Sequence, residues 1–430
     1  MTALVLFVLF FLFMIGMPIA FTIIAVTMVM SLLFPLELPL VVIPQNMSSG
    51  VEGFTLLAVP LFILTAKIMN AGKITERVFD FAKATVGNIR GGLAHVNILA
   101  SLIFAGMSGA AIADAAGLGE IEIKAMKEEG YESVFSAAIT AGSSIIGPIF
   151  PPSIPILLYG SLVGVSIGEL FLAGIVPGCM MALLLFVTAY VIAVRRHYPY
   201  TPFPGGWEYV KGFGKALARG IFPLFTPIII LGSIMFGIAT PTEAAVLAVL
   251  YSLVLGFCYK TIRFKDIPSL FLEAGLDSAL VLFIVAAVSA FSWMITAKEI
   301  PQTLTTLIFG AIESPALVTL TIIGILIVLG LFMNPTPGLL LCVPLFLPVA
   351  QKLGFNLVQF GVMIVLALAI GLLTPPVGLV LYIVANVAQV EVGDIIKELI
   401  PFIIALLIVV LLIAFMPGFT LYIPNLLYGK

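Results

Sequence analysis

Residues 126–170 and 350–395 are two renderings of one segment, and both carry the same interruption. In each, a Gly-aromatic pair (Gly130-Tyr131, Gly354-Phe355) stands ahead of a Pro-Pro pair (Pro151-Pro152, Pro375-Pro376), with 20 residues from the aromatic to the first proline. A tyrosine follows (Tyr159, Tyr382), then a Val-x-x-Gly-acid ending at Glu169 and Asp394. Proline has no N–H to give a helix and its ring clashes with the preceding turn, so neither segment folds as one straight helix. Gly16 matches Gly237, and Phe62-Ile63 matches Phe283-Ile284, which keeps the halves 221 to 225 residues apart. The chain is a tandem duplication with a broken helix in each half.

The medium follows from composition. Charged residues are 9% of the chain and hydrophobic residues 62%, against about 25% and 45–50% in soluble domains. Apolar runs near the roughly 20 residues that span a bilayer recur along the chain, so lipid is the solvent and the chain is an all-α polytopic inner-membrane protein. No basic tract suggests nucleic acid. Cys179, Cys258 and Cys342 are isolated in apolar segments and read as small core residues. The first cation is Lys67, whereas a signal peptide needs a positive start; the N-terminal apolar run is read as a retained helix. Paired interrupted spans in two halves of a membrane protein point to the binding site of a secondary transporter.

Lys67, Lys73, Arg77, Lys83 and Arg90 fall in one connection; Arg195, Arg196, Lys211, Lys215 and Arg219 in another; Lys260, Arg263 and Lys265 in a third. The positive-inside rule places these in the cytoplasm. The threading has helices 2–15 and 18–34, an outward stretch 35–50, a helix 54–69, an amphipathic segment 72–92, a re-entrant hairpin 93–127, an interrupted helix 133–165 and a helix 169–194. The second half follows a surface segment 205–219 with 221–238, 241–259, 277–296, a surface segment 298–312, a hairpin 315–352, an interrupted helix 357–389 and a last helix 399–423. Each half makes an odd number of crossings, so the repeats are inverted and both termini are periplasmic. A single kinked helix over 2–34 is the alternative start.

Unwound backbone at membrane depth survives only where protein, water or ions satisfy its polar groups. Each half has two such places: Gly106 to Gly109 and Gly142 to Ser153 in the first, Asn334 to Gly338 and Gly371 to Gly378 in the second. A hairpin tip facing a broken helix offers carbonyl, hydroxyl and amide oxygens to Na+, and half-helix N-termini offer N–H groups to a carboxylate. Each half therefore builds one cation site, with an anionic substrate between them. A lone Gly-Pro kink in a membrane helix commonly marks only a bend; here the breaks come in matched pairs. Pro152, Ser153, Gly338 and Gly378 flank the breaks as substrate-lining residues. Asp114 either lines the site or satisfies a local polar contact. Glu243 and Asp277 read as helix caps, and Glu120, Glu122, Glu128, Glu129 and Glu132 with Lys124 and Lys127 as a solvated face.

The stretches 106–131 (GMSGAAIADAAGLGEIEIKAMKEEGY), 137–160 (AAITAGSSIIGPIFPPSIPILLYG), 237–245 (GIATPTEAA), 334–355 (NPTPGLLLCVPLFLPVAQKLGF) and 372–383 (LLTPPVGLVLYI) resemble the large membrane subunit of TRAP transporters, the tripartite ATP-independent periplasmic family. The resemblance implies Na+-driven uptake of an organic acid without ATP, a periplasmic substrate-binding protein, and a small four-helix membrane subunit. It implies an elevator-type fold. Residues 1–92 and 221–314 would be scaffold helices and interfacial arms, 93–165 and 315–390 the transport domain, 166–220 a connecting helix and linker, and 391–430 the last helix. It also implies Na+ ligands at Ser108, Gly109, Ser143, Ser144 and Gly147, and at Asn334, Thr336, Gly371, Thr374 and Pro376. The chain starts without an apolar four-helix extension, so a separate small subunit is expected.

Three rivals stand beside this reading. A stand-alone Na+-coupled anion symporter shares the two-hairpin plan. An intramembrane hydrolase using Ser108 or Ser143 needs a base in hydrogen-bond reach. His95 lies 13 residues before Ser108, about 20 Å along a helix at 1.5 Å per residue. A channel needs rings of charge or carbonyls repeated by symmetry, which one chain does not show.

Overall fold

The structure is a computed structural model that describes residues 8, 11–12, 15–34, 39–200, 202 and 205–429; the expected helix 2–15 lies for the most part outside the described residues. Helix α1 is Ile19–Leu33 and α2 is Val42–Ser49, inside the stretch 35–50. A 3-10 turn, Phe54–Leu57, leads into α3, Ala58–Ala71. The amphipathic arm is α4, Ile74–Val86, with Ile74, Val78, Phe79 and Ala82 buried and Glu76, Asp80 and Lys83 exposed. That spacing is the one-sided stripe of a surface helix.

The first hairpin climbs on α5, Gly92–Ser108, and returns through a π turn, Asp114–Leu118, into α6, Gly119–Glu128. The broken helix is α7, Ser133–Ser144, and α8, Ile154–Val163; α9, Ile167–Arg195, follows. In the second half come α10, Gly206–Met235, α11, Pro241–Cys258, α12, Ile267–Ala297, and the arm α13, Ile300–Ala311. The second hairpin is α14, Pro315–Gly330, and α15, Pro335–Lys352. Its broken helix is α16, Leu357–Gly371, and α17, Leu379–Ala388. Helices α18, Val392–Phe415, and α19, Gly418–Tyr428, end the described chain.

Six helical segments among the described residues are long and apolar enough to cross a membrane: Phe54–Ala71, Ile167–Arg195, Gly206–Met235, Pro241–Cys258, Phe264–Ala297 and Val392–Phe415. Two hairpin arms, α5 and α14, and the half-helices α8, α16 and α17 fall in a shorter apolar class of 10–17 residues. The halves pack reciprocally. Helix α1 lies on α12 while its counterpart α11 lies on α3, the counterpart of α12. Likewise α8 packs on α15 and α16, and α17 packs on α6 and α7. These contacts between halves come in pairs with the roles exchanged.

Four expectations are corrected. The linker 205–219 and the helix 221–238 are one continuous helix, α10, despite Pro223 and Pro227. Gly220 lets it run on against α4, because a Cβ there would stand 3.0 Å from the Phe81 Cβ. The last helix is two, broken at Met416-Pro417, because a residue before proline is pushed out of helical geometry. Asp277 is no cap: α12 starts ten residues earlier, and the Asp277 carboxylate pairs with Lys67 at 3.0 Å. Glu122 does not belong to the solvated face. It is fully buried with neither oxygen hydrogen-bonded, because it shares the inward stripe of α6 with Leu118 and Met126, one turn away on either side.

Around it, the solvated reading holds: Glu120, Lys124, Lys127, Glu128, Glu129 and Glu132 are exposed. Lys83 pairs with Glu129 at 2.7 Å, and Arg196 bridges Glu132 and Glu398 at 3.0 and 2.8 Å. The Glu398 hydrogen bond holds the Arg196 guanidinium above its ordinary pKa. Glu243 is a cap as read: Thr240 Oγ1 accepts from the Glu243 N–H, and Glu243 accepts from the Thr240 N–H at 2.8 Å. Thr240→Ala is expected to remove about 1 kcal/mol of stability, read as a lower melting midpoint of the purified protein. An unchanged midpoint would mean that packing alone starts α11.

Candidate functional site

In the first half the hairpin tip is pressed onto the break. Gly109 closes α5 with φ +62°, a conformation that suits glycine, and its N–H donates to the Ala105 carbonyl. A Cβ on Gly109 would stand 2.6 Å from the Pro152 carbonyl oxygen. A Cβ on Gly147 would stand 3.2 Å from the Ser144 oxygen and 3.3 Å from the Ala110 oxygen. Tip and break therefore touch main chain to main chain, with carbonyls of both converging. The Ser108 hydroxyl beside them is buried and without a hydrogen-bond partner, and Ser144 donates to the Ala141 carbonyl at 2.8 Å, which leaves its lone pairs free. Buried oxygens with unused lone pairs suit a small dehydrated cation.

The second half repeats the contact in harsher form. Gly330 ends α14 and Gly371 ends α16; a Cβ on Gly371 would overlap the Gly330 main chain, and one on Gly330 would overlap the Leu368 carbonyl. Further along, the Gly378 N–H reaches the Leu331 carbonyl at 3.4 Å, and Gly338 lies against Leu368. Thr374 donates to the Ile370 carbonyl at 3.2 Å. Asn334 caps α15 by accepting from the Thr336 N–H at 3.4 Å. Both Pro-Pro bonds are cis. The environments differ: Pro151, Pro152 and Ser153 are buried, whereas Pro375 and Pro376 are exposed and Thr374, Asn334 and Thr336 half-buried.

Of two further residues named from the sequence, Ser153 is occupied locally and Asp114 is not. Ser153 donates to the Pro148 carbonyl and accepts from the Ile156 N–H, so it caps α8. Asp114 is buried in the π turn and hydrogen-bonds to nothing; the Ser101 hydroxyl lies alongside but donates to Ser143. No His/Cys/Asp/Glu cluster of metal-binding size exists among the described residues.

The unforeseen part is a polar strut between α5 and α7. Asn97 donates to Thr140 at 2.6 Å and accepts from Ser143 at 2.7 Å, and Ser101 donates to Ser143 at 3.1 Å. All four are buried. The signal was present as Asn97 and Ser101, four residues apart on an apolar helix facing Thr140 and Ser143, three apart on the next. His95 turns away, holding the Gly91 carbonyl at 3.0 Å and stacking on Phe186. The repeated tyrosine also has a use in the first half: Tyr159 donates to the Leu357 carbonyl at 2.6 Å, tying α8 to the start of α16.

The chain is similar to known proteins in sequence and in fold. A family model described as "Tripartite ATP-independent periplasmic transporter, DctM component" matches residues 6–419. The sialic acid TRAP transporter large permease protein SiaM of Vibrio cholerae is 41% identical over 415 residues, covering 96% of each chain. The C4-dicarboxylate TRAP transporter large permease protein DctM of Pseudomonas aeruginosa is 36% identical over 375 residues, covering 87% of each. Among solved structures, the Alcanivorax borkumensis YdaH transporter aligns with a TM-score of 0.62 at 13% identity, over 87% of this chain and 88% of that one. At that identity the likeness is one of fold. The chain thus belongs to the DctM-component family of tripartite ATP-independent periplasmic transporters, as a multi-pass inner-membrane large permease and not an enzyme.

Proposed function

We propose that this permease takes up an organic acid, a carboxylate, by Na+ symport. A periplasmic binding protein delivers the substrate, and a small four-helix membrane subunit completes the assembly. The observation that carries the reading is the contact of hairpin tip and broken helix in each half, through Gly109 and Pro152 and through Gly330 and Gly371. Each gathers main-chain oxygens where a spanning helix would hide them. Ser108, Gly109, Ser144 and Gly147 are the ligands of the first site, with Ser143 steered by the strut. Asn334, Thr336, Gly371, Thr374 and Pro376 surround the second. Asp114, Pro152, Ser153, Gly338 and Gly378 border the space between. Two relatives are named for sialic acid and C4-dicarboxylates, and both substrates carry carboxylates, which supports the class.

The reciprocal packing of the halves supports inverted repeats. The main-chain contacts support hairpins and broken helices that travel as one transport domain past scaffold helices. Both termini are then periplasmic. The test is uptake into proteoliposomes containing both membrane subunits, with the binding protein outside and Na+ varied against K+. Ser144→Ala and Thr374→Val each remove one oxygen from a charged ligand, which is worth about 1.5–3 kcal/mol. The half-saturating Na+ concentration is expected to rise roughly 10- to 100-fold, with expression unchanged. Equal uptake in K+, or no shift in either variant, would defeat the ion assignment. Uptake without the binding protein would favour the stand-alone symporter.

A further inference from the structure

We propose that the cleft between α12, α13 and the second hairpin holds one acyl chain of an anionic phospholipid whose phosphate is gripped by Lys352. The cleft has a volume of about 620 Å³ and is walled by Phe291, Leu304, Ile308, Val328, Leu341 and Phe346. Its one hydroxyl, on Thr321, already donates to the Leu317 carbonyl at 2.8 Å. A buried water needs two to four polar partners, and none is offered. Water does not fill this space, so something apolar does. At Gly324 a Cβ would meet nothing within 4 Å, so the space reaches the helix backbone. Val328 and Ile325 are 51% and 37% exposed, so the mouth opens on the outer, membrane-facing surface.

Charge selects the occupant. Lys352 closes α15 and is exposed, with Nζ 4.2 Å from the centre of the Phe309 ring, next to the lining residue Ile308. It takes part in no ion pair with a carboxylate of the described residues. The threading that puts the clustered cations in the cytoplasm leaves Lys352, at the end of the second hairpin, at the outer interface, at headgroup level, with the apolar cleft below it. An ammonium above a dry slot matches a phosphate with one hydrocarbon tail. A second protein helix does not fit, because with side chains it is about 10–12 Å across, whereas a cavity of this size holds a small molecule. Tails gain little by leaving bulk lipid, which is equally apolar, so the phosphate contact and close packing supply the preference. The walls come from α12 and α13 on one side and the hairpin on the other, so the lipid occupies a seam between them.

The test is native mass spectrometry of the full permease, delipidated and titrated with phosphatidylglycerol, phosphatidylcholine or inorganic phosphate. The parent protein is expected to retain one phosphatidylglycerol per chain, in preference to phosphatidylcholine. Retention should fall at least tenfold in Lys352→Glu, which opposes the phosphate, and in Gly324→Leu, which fills the slot. Val328→Phe narrows the mouth from an exposed position and gives the same reading should Gly324→Leu fail to fold. Retention unchanged in Lys352→Glu and in a folded slot variant would overturn the proposal. So would phosphatidylcholine bound equally well, or displacement of the lipid by inorganic phosphate alone. None of these outcomes depends on Na+ coupling.

Discussion

Gly371→Ala is expected to abolish uptake and sharply reduce the yield of folded permease. The added methyl would overlap the Gly330 main chain and stand 2.7 Å from the Ile327 carbonyl oxygen. Overpacking a core commonly costs about 1–3 kcal/mol when side chains can rotate away. Here both obstacles are backbone, in helices already packed closely through small residues, so the cost lies at or beyond the top of that range. The control is Gly275→Ala, where nothing lies within 4 Å. A solvent- or lipid-facing helical glycine replaced by alanine gains roughly 0.5–1 kcal/mol. Melting midpoints and uptake for the two variants separate the cases, and a wild-type profile for Gly371→Ala would show that α14 and α16 do not meet there.

Asn97→Leu is expected to cost about 2 kcal/mol and to weaken Na+ dependence at the same time. The substitution keeps the volume and removes two hydrogen bonds, leaving Thr140 and Ser143 buried without their partner. An orphaned polar group costs about 1–3 kcal/mol. Hydrogen bonds between membrane helices average nearer 0.6 kcal/mol because the unfolded reference also finds partners. Two bonds lost and one group orphaned place the sum between those limits, because Ser143 still accepts from Ser101 and donates to the Thr140 carbonyl. Ser143 adjoins Ser144, so loosening the strut should also raise the half-saturating Na+ concentration. A destabilised variant with normal Na+ dependence would confine Asn97 to a structural role, and an unaffected melting midpoint would remove even that.

The hairpins and breaks were legible because they are written twice, in glycine and proline, whose backbone effects need no tertiary context. Both broken helices stop four residues ahead of a proline, at Ser144 before Pro148 and at Gly371 before Pro375. What escaped depends on neighbours. Nothing local distinguishes Glu122 from Glu120; burial is decided by which stripe of α6 faces α7 and α17. Pro223 and Pro227 look like an end to α10, but membrane helices tolerate proline where neighbours satisfy the freed groups. Asp277 read as a helix start only because its partner Lys67 lies 210 residues away in sequence. The strut escaped because it has no twin. With the offset of 224 residues that relates Pro151 to Pro375, its members Asn97, Ser101, Thr140 and Ser143 fall on Thr321, Ile325, Ile364 and Ala367.

That unequal match bears on the wetting of the two proline pairs, one sealed and the other open. Where the two segments match, sequence alone treats both proline pairs alike; the amide and hydroxyls that join α5 to α7 are among the places where it does not, and they stand beside the pair that is sealed.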